Sequence, residues 1–343
     1  MREPAFWWRE AGVAAGLLAP LATLYGITAA RRLASQGWCA DVPVVCIGNP
    51  TIGGAGKTPL ALAVVRMLSE AGERPVLLSR GYGGKVSGPV QVDLTRHRAA
   101  DVGDEPLLLA RAAPTIVARG RVAGAKAAVS AGAGVIVMDD GFQNPSLAKD
   151  FSILVVDARR GIGNGKIIPA GPLRAPLAEQ IARADALVVV GELGDIQTVL
   201  GRMPTQHLPA FRASLAPDEN FIAALAGKRV LAFAGIGDPE KFFATLRNGG
   251  IVVAGTRAFA DHHRYTRADA EALCEHAGRE SLILATTEKD AARMQGDDAL
   301  AELSARARAL PVTLVLEDEA GFKTLLLEKV EQARSDVGRR SRN

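Results

Sequence analysis

A glycine-rich stretch at residues 51–58 constrains the fold of this chain more than any other feature. It follows an apolar run at residues 44–47 and opens a helix-like stretch at residues 60–68. Between a buried strand and a helix, such a turn predicts a phosphate-binding loop, because backbone N–H groups and the positive end of the helix dipole converge on an anion. We expect Lys57 to reach the terminal phosphates and the Thr58 hydroxyl to ligate Mg²⁺. The loop comprises Thr51, Ile52, Gly53, Gly54, Ala55, Gly56, Lys57 and Thr58.

The loop departs from the usual pattern G-x-x-x-x-G-K-[ST] at its first position, where Thr51 replaces a glycine. Gly53 and Gly54 supply the flexibility instead, and Pro59 suits the first turn of a helix, where a missing N–H group is tolerated. The alternative is an ordinary glycine-rich turn. We favour a phosphate loop because such turns seldom end in Gly-Lys-Thr between a strand and a helix.

The composition excludes several classes of protein. Of the 343 residues, 48% are apolar, which supports well-filled cores in one large domain or two ordinary ones. The net charge is only +4, so we expect no general nucleic-acid-binding surface. Cys39, Cys46 and Cys274 are odd in number and lack a C-x-x-C pair, which predicts a reducing compartment without disulfides or a zinc site.

The amino-terminal region predicts contact with a membrane. Residues 11–30 carry no charge and are long enough to span a bilayer as a helix. The run is rich in alanine, contains Pro20 and is only weakly hydrophobic, whereas Trp7 and Trp8 suit the lipid headgroup zone. We favour a helix that lies in or dips into the inner face of a membrane over a buried structural helix or a true span. A cleavable secretory signal is disfavoured, because acidic residues interrupt the basic leader and the phosphate loop needs cytosolic ATP.

Apolar runs alternate with amphipathic stretches after the loop, which predicts a P-loop NTPase-like α/β fold, with a mostly parallel sheet and helices on both faces. The predicted strands lie at residues 75–78, 115–118, 135–138, 153–156 and 186–190, and the helices between them at 60–71, 105–112 and 122–131. A second series predicts a smaller α/β domain, with strands at residues 230–233, 251–253, 282–285 and 312–315 and helices at 239–246, 267–276 and 322–332.

Two acidic pairs are candidates for chemistry. Asp139 and Asp140 end an apolar strand, the arrangement by which nucleotide-hydrolysing and kinase folds hold Mg²⁺ beside a phosphate loop. A turn cap is the alternative for this pair. Asp104 and Glu105 open a helix, and helix capping explains one of them. We assign Asp104 as the candidate base that takes the proton from an attacking hydroxyl.

Residues 260–266 contain two of the five histidines, His262 and His263. Adjacent histidines do not share a helix face, so a metal site is disfavoured, and we expect Thr266 to cap the helix that begins at Arg267. One imidazole would suit the orientation of a carboxylate base. The alternative is a loop with solvated imidazoles.

Two basic, glycine-rich loops at residues 79–84 and 168–174 are candidates for contact with an anionic substrate. Arg80 and Arg174 could each clamp a phosphate through a forked pair of hydrogen bonds. Arginines in loops are usually just solvated, so each signal is weak alone.

Seven sequence blocks occur in order over nearly the whole chain: T-I-G-G-A-G-K-T-P, S-R-G-Y-G, G-D-E-P, D-D-G-F-Q, P-A-G-P-L-R, F-A-D-H-H and T-T-E-K-D. Together they resemble the tetraacyldisaccharide 4'-kinase family of lipid A biosynthesis. The resemblance implies a P-loop kinase that transfers the γ-phosphate of ATP, with Mg²⁺, to the 4'-hydroxyl of a tetraacylated glucosamine disaccharide 1-phosphate. It also implies peripheral or monotopic attachment to the cytoplasmic face of the inner membrane, and we infer no obligate protein partner.

The resemblance carries over residue by residue. It implies Lys57 and Thr58 for ATP and Mg²⁺, Asp104 as the catalytic base with His262 as its partner, Asp139 and Asp140 for the metal, and Glu105 and Arg174 as further site residues. The doubling of His262 by His263 leaves both imidazoles as candidates, and the T-T-E-K-D block matches the family pattern without an assigned role.

We divide the chain into four parts on this basis. An amino-terminal membrane-associating helix is expected at residues 1–35, a P-loop kinase domain at 36–220 with a connector at 203–220, a smaller α/β domain at 221–334, and a frayed basic tail at 335–343.

Two other classes of protein remain open. A P-loop GTPase or metallochaperone has a related loop, but guanine selection normally uses Asn-Lys-x-Asp, and here Lys289 and Asp290 are adjacent. Ile52 also stands where dimeric deviant-loop ATPases carry an extra lysine. The second alternative is a non-catalytic, nucleotide-regulated membrane adaptor, which would produce no phosphorylated lipid from ATP and acceptor.

Overall fold

Two β-sheets organise the chain. The computed structural model describes residues 3–191, 201, 203 and 208–340. In chain order the strands are β1 (Val44–Gly48), β2 (Pro75–Ser79), β3 (Val90–Gln91), β4 (Thr115–Val117), β5 (Val135–Asp139), β6 (Phe151–Asp157), β7 (Ala186–Val190), β8 (Ala210–Pro217), β9 (Arg229–Ala234), β10 (Val252–Ala258), β11 (Ile283–Thr287), β12 (Arg308–Leu310) and β13 (Val312–Leu316). The large sheet has the order β13-β8-β7-β6-β1-β5-β2-β4-β3, and the small sheet has the order β10-β9-β11-β12.

Parallel pairing dominates both sheets. All pairs of the small sheet are parallel. Among the described strands of the large sheet, the antiparallel pairs are the two outermost, β13 with β8 and β3 with β4. The prediction of a mostly parallel α/β sheet is therefore confirmed.

Helices connect most successive strands and cover the sheets. They are α1 (Val13–Leu33), α2 (Lys57–Glu70), α3 (Ala99–Val102), α4 (Asp104–Leu109), α5 (Arg121–Ser130), α6 (Leu177–Ile181), α7 (Glu219–Leu225), α8 (Pro239–Asn248), α9 (Arg267–Arg279), α10 (Glu288–Met294), α11 (Ala301–Arg306) and α12 (Glu319–Arg340), with short 3₁₀ helices at Ala5–Trp8 and Asp298–Leu300.

Strand β1 shows how the large sheet builds a core on each face. All of its residues are buried, and alternate side chains enter opposite cores. Val45 and Ile47 pack into the core that contains residues of α2 and α12, whereas Val44 and Cys46 pack into the core that contains residues of α5. A parallel strand covered on both faces requires a continuous apolar run of this kind.

The carboxyl-terminal part of the chain returns to the large sheet, although we expected it in the smaller domain. Residues 312–315 were expected in the smaller domain, but β13 pairs with β8. Helix α12 then buries Phe322, Leu326 and Val330 in the core of the large sheet. Strands β9 to β12 are thus inserted between two neighbouring strands of the large sheet. The apolar pattern of β13 could not reveal this, because it specifies a strand without specifying its partner.

The expected connector at residues 203–220 and the expected tail are also more regular than predicted. Residues 204–207 lie outside the described residues, but β8 follows them and runs parallel to β7. Pro209 precedes this strand and Pro217 ends it, so neither removes a hydrogen bond from its interior. The tail is helical to Arg340, and residues 341–343 lie outside the described residues.

Helix α1 leaves most of its apolar side chains exposed. It is long and apolar enough to cross a membrane, and only 17% of its most apolar window is buried. Val13, Leu17, Leu21 and Leu24 are exposed and recur every three or four residues, so they form one apolar row. Contiguous exposed apolar surface of this kind marks a contact with a membrane or another molecule.

Candidate active site

The candidate active site lies at the carboxyl ends of the central strands of the large sheet. Strand β1 leads into the phosphate loop, and its neighbours β5 and β6 end in Asp139 and Asp157. Open parallel sheets bind ligands at this edge. The structure therefore brings together the loop and the carboxylate pair that the sequence singled out.

Two glycines with positive φ shape the phosphate loop. Gly53 has a φ of 102°, and Gly56, immediately before α2, has a φ of 90°. Asn49 closes the loop, because its Nδ2 donates to the carbonyl oxygen of Gly53 at 3.0 Å and its Oδ1 accepts from Lys57 Nζ at 3.0 Å. Lys57 Nζ also lies 3.8 Å from Asp140 Oδ1. The ammonium group is thus held beside both the loop and the carboxylates.

Arg174 braces the loop from the other side. Its Nε donates to the carbonyl oxygen of Thr51 at 2.9 Å, and its Nη1 pairs with Asp140 Oδ1 at 3.0 Å. The sequence assigned this guanidinium to a substrate phosphate, whereas here it holds two groups of the protein. Arg80, the other candidate for substrate, is exposed just beyond β2.

The two carboxylates after β5 have opposite electrostatics. Asp139 is 1% exposed, and burial, reinforced by the charges of Glu105 and Asp140, raises its pKa to about 7. Burial also opposes ionisation of Asp140, but Lys57 and Arg174 outweigh it and hold the pKa of Asp140 below its usual range. Asp140 is therefore already neutralised by protein cations, and Asp139 is not.

The donor set fits Mg²⁺. Asp139 Oδ1 is buried and has no hydrogen-bond partner among the described residues, although buried carboxylate oxygens normally have one. Thr58 is buried at the start of α2 and offers a hydroxyl. No group of three His, Cys, Asp or Glu side chains suited to a metal occurs in the described ranges. A site with few protein ligands suits Mg²⁺, which keeps waters and binds substrate phosphates.

A second cluster joins the parts of the site that come from the two sheets. Asp104, buried at the start of α4, lies with its Oδ2 3.2 Å from Nδ1 of His262, which precedes α9. His263 instead lies 3.0 Å from Asp269 Oδ2, in the capping box that Thr266 forms at the start of α9. The predicted helix cap is thus confirmed. Of the two candidate histidines, it is His262 that meets Asp104.

The Asp104–His262 pair is strongly polarised. Burial opposes ionisation of Asp104, but the hydrogen bond with His262 and the charges of Arg293 and Lys289 hold its pKa well below the usual range. In turn, the hydrogen bond with Asp104 raises the pKa of His262. A proton shared by the pair therefore resides on the imidazole and not on the carboxylate.

Helix α10 supplies two cations that sequence reasoning missed. Lys289 Nζ donates to Glu105 Oε1 at 2.7 Å, and Arg293 Nε donates to Asp104 Oδ2 at 2.7 Å. The charge of Lys289 lowers the pKa of Glu105. The T-T-E-K-D block was the available signal, because Lys289 belongs to it and Arg293 lies one helical turn beyond Asp290.

The amino terminus reaches the phosphate loop, which no motif indicated. Glu3 Oε2 accepts hydrogen bonds from Arg160 Nη1 at 2.9 Å and from Trp8 Nε1 at 3.0 Å. A Cβ atom built on Gly53 would lie 2.5 Å from Glu3 Oε1. The segment is anchored by Trp7, whose Nε1 donates to the carbonyl oxygen of Pro169 at 3.0 Å.

Comparisons with known proteins point to one family. A family model described as tetraacyldisaccharide-1-P 4'-kinase matches residues 14–331. The tetraacyldisaccharide 4'-kinase of Rhodopseudomonas palustris (strain BisA53) is 56% identical over 334 residues, which cover 97% of each chain. That of Nitrobacter winogradskyi is 51% identical over 334 residues, covering 97% of this chain and 99% of the relative. The crystal structure of LpxK from Aquifex aeolicus in complex with ATP aligns with a TM-score of 0.72 at 28% identity, covering 92% of this chain and 99% of that chain.

The unequal carboxylates predict opposite effects of two neighbouring substitutions on stability. The pKa of Asp139 is raised to about 7 in the folded protein. Its contribution to stability is therefore lost as the pH rises from its pKa in the unfolded chain through about 7. Asp140 has a lowered pKa and contributes to stability at any pH above its pKa in the unfolded chain. At pH 8, without nucleotide or Mg²⁺, Asp139→Asn should raise the midpoint of thermal unfolding and Asp140→Asn should lower it. Calorimetry at pH 5 and pH 8 measures this, and shifts in the same direction would contradict the assignment.

Proposed function

The chain belongs to the tetraacyldisaccharide 4'-kinase family, and from this premise we propose how its site performs the family's reaction. The protein is an ATP-dependent kinase that transfers the γ-phosphate to the 4'-hydroxyl of a tetraacylated glucosamine disaccharide 1-phosphate in lipid A biosynthesis. One observation carries the residue assignments below: buried Asp104 meets half-buried His262, and the helix that Asp104 begins packs against α2, the helix that follows the phosphate loop.

The helix that follows the phosphate loop, α2, packs against α4, which begins with Asp104 and Glu105. The charge of Lys57 lowers the pKa of Glu105, which adjoins Asp104, and Glu105 in turn raises the pKa of Asp139. A hydroxyl held at His262 would thus lie on the same side of this helix pair as the start of α4, where His262 meets Asp104. This proximity supports direct transfer between two bound substrates.

Positioning and charge stabilisation account for most of the catalysis. Phosphoryl transfer passes through a loose transition state, so the protein mainly aligns the reactants and stabilises charge on the phosphoryl oxygens. We assign this stabilisation to Lys57 and the backbone amides of residues 51–58. Mg²⁺, held by Asp139 and Thr58, would neutralise phosphate charge. Arg174 and Asp140 keep Lys57 and the loop in place.

We assign the proton acceptor to His262 and its orientation to Asp104, the reverse of the roles carried over from the resemblance. Asp104 is a weak base, because a hydrogen bond with His262 and two cations stabilise its ionised form. His262 has a raised pKa and therefore a basicity closer to the ideal for proton transfer near neutral pH. Asp104 bound to Nδ1 leaves Nε2 to receive the proton of the sugar hydroxyl.

The acceptor lipid is expected on the open side of this pair. Tyr82 is 65% exposed, and its ring meets the edge of the His262 imidazole at 5.2 Å between centroids. Arg80 is exposed in the same loop. We propose that Arg80 binds an anionic group of the lipid. Arg174 is less suited to this role, because it already pairs with Thr51 and Asp140.

The environment of Lys289 and Asp290 argues against the GTPase alternative. Lys289 pairs with Glu105, and Asp290 is fully buried and accepts hydrogen bonds from Tyr265 and Gly235. Neither side chain is free to read a guanine base. The kinase function also distinguishes the protein from a non-catalytic adaptor.

Helix α1 is our candidate for membrane attachment at the cytoplasmic face of the inner membrane. Its exposed apolar row, including Leu17 and Leu21, supports burial of the helix among lipid chains. Arg31 and Arg32 lie in the last turn of the helix and suit the anionic headgroup zone. Because Glu3 and Trp7 dock the preceding segment beside the phosphate loop, this attachment would hold the site close to its lipid substrate.

The first prediction tests the transfer itself. With ATP labelled in its γ-phosphate and the acylated disaccharide 1-phosphate in micelles, Lys57→Met should lower labelling of the lipid by about 10²- to 10³-fold, because one preorganised cation is lost. Lys323→Met is the matched control, since this lysine pairs with Glu70 at the far end of α2. Full labelling by Lys57→Met would refute the assignment.

The second prediction separates the roles of His262 and Asp104. His262→Gln should lower kcat by about 10²- to 10⁴-fold and abolish the rise of kcat with pH, because the neutral imidazole is the proton acceptor. Asp104→Asn should lower kcat and move that rise to lower pH, because the carboxylate no longer raises the pKa of His262. If the rise persisted in His262→Gln, the acceptor would be another group.

The third prediction concerns the membrane. Replacing Leu17 and Leu21 together with lysine should reduce co-sedimentation with vesicles of anionic phospholipid by at least about tenfold, because two leucines leave the lipid phase. Val252→Lys is the control, since Val252 is an exposed apolar residue of the small sheet. Equal reductions in both proteins would exclude a specific role for α1.

A further inference from the structure

The guanidinium of Arg293 lies where elements of both sheets meet. Its Nε donates to Asp104 Oδ2 at 2.7 Å, and its Nη1 donates to Asp290 Oδ1 at 2.7 Å and to the carbonyl oxygen of Gly235 at 2.5 Å. Its Nη2 lies 3.4 Å from Nδ1 of His262. The side chain is only 6% exposed. One planar cation thus contacts both members of the catalytic pair.

Asp290 fixes the orientation of Arg293 through the hydrogen bond that it accepts from Nη1. This carboxylate is fully buried and accepts hydrogen bonds from Gly235 N at 3.1 Å, Tyr265 Oη at 2.9 Å and Thr287 Oγ1 at 2.7 Å. Gly235 follows β9, Tyr265 precedes α9, and Thr287 ends β11. The guanidinium is therefore held by groups of the small-sheet region and presented to Asp104, which belongs to the large-sheet region.

The charge of Arg293 also limits how strongly Asp104 acts on His262. The groups that face the imidazole are Asp104, Asp261 and Arg293, with the ring of Tyr82 at its edge. Both carboxylates raise the pKa of His262, and Arg293 lowers it. Without the guanidinium, Asp104 would be a buried anion with less compensation, and the imidazole would hold its proton to higher pH.

We propose that Arg293 is a positioning residue for phosphoryl transfer, which orients the Asp104 carboxylate toward Nδ1 of His262 and offsets its charge. The proposal rests on the roles given above to Asp104 and His262. It assigns a function to the helix that follows the T-T-E-K-D block: α10 carries the cations that align α4 with the imidazole. Arg293 contacts no substrate in this scheme and acts through Asp104.

Two substitutions separate the charge of Arg293 from its geometry. Arg293→Gln removes the charge, so kcat should fall by about 10²-fold through misalignment, and its rise with pH should move to higher pH. Arg293→Lys keeps the charge but loses the planar set of guanidinium donors. Its kcat should therefore fall, while the rise of kcat with pH stays near its wild-type position. The KM for ATP should change less than about twofold in both. Arg111→Gln is the matched control, because Arg111 bonds Gln295 across the same interface at an exposed position.

A double substitution tests whether Arg293 acts through Asp104. Adding Arg293→Gln to Asp104→Asn should lower kcat little beyond the level of Asp104→Asn alone, because residues that act as one unit are not additive. Additive losses, or an Arg293→Gln variant with wild-type kcat and an unchanged pH profile, would overturn the proposal.

A readout independent of turnover distinguishes failure of this proposal from failure of the proposed function. The His262 imidazole can be titrated by NMR, with its resonance assigned from the His262→Gln variant. Its pKa should be higher in Arg293→Gln than in the wild type or in Arg293→Lys. An unmoved titration in a folded Arg293→Gln protein would refute the role of Arg293. Loss of lipid labelling in the wild type would instead refute the kinase assignment.

Discussion

The site depends on compensation of carboxylates that the fold buries at the edge of a parallel sheet. Asp104 and Asp139 are withdrawn from water and Asp140 is half-buried, and isolated ionised carboxylates are costly in such places. Asp140 receives Lys57 and Arg174, and Asp104 receives Arg293. Asp139 has no such partner among the described residues and keeps a raised pKa. The distribution of cations thus decides which carboxylate orients a side chain and which is suited to a metal.

The phosphate loop shows why a departure from its motif does not disturb it. Positive φ occurs at Gly53 and Gly56, where glycine is needed, and Thr51 is not among the residues with positive φ. Thr51 instead forms an isolated bridge with Leu173, and its carbonyl oxygen accepts the hydrogen bond of Arg174. A side chain is tolerated at this position because the backbone is extended against a neighbouring segment. The motif requires glycine only where φ is positive, and in this loop those positions are Gly53 and Gly56.

Local sequence patterns predicted most helices and strands, but not which strands pair with which. The strand that ends in Asp139 and the helix that follows Lys57 have unambiguous apolar patterns and lie where expected. Strand β8 has a mixed burial pattern, and Pro209 and Pro217 flank or end it, so this stretch was expected to be a connector. The sheet that β13 joins depends on contacts with residues about a hundred positions earlier, which its own sequence does not encode.

The same limit applies to the site. Motif blocks identified Lys57, Asp104 and His262, because each lies in a distinctive local sequence. Arg293 was missed because its partner Asp104 is 189 residues away and a single arginine in a helix carries no signal. The choice between His262 and His263 also required the fold, since only the path of the chain before α9 determines which imidazole faces Asp104.

The insertion of the small sheet between β8 and β13 has a mechanical consequence. The chain leaves and re-enters the large sheet through two adjacent antiparallel strands, so both connections to the inserted part lie at one edge of that sheet. A displacement of the inserted part would carry His262 and Arg293 together, since both belong to it, and would leave Asp104 behind. The proposed catalytic pair would therefore be complete only while α10 stays packed against α4, so the inserted part and the large sheet must both be in place for the proton acceptor to be oriented.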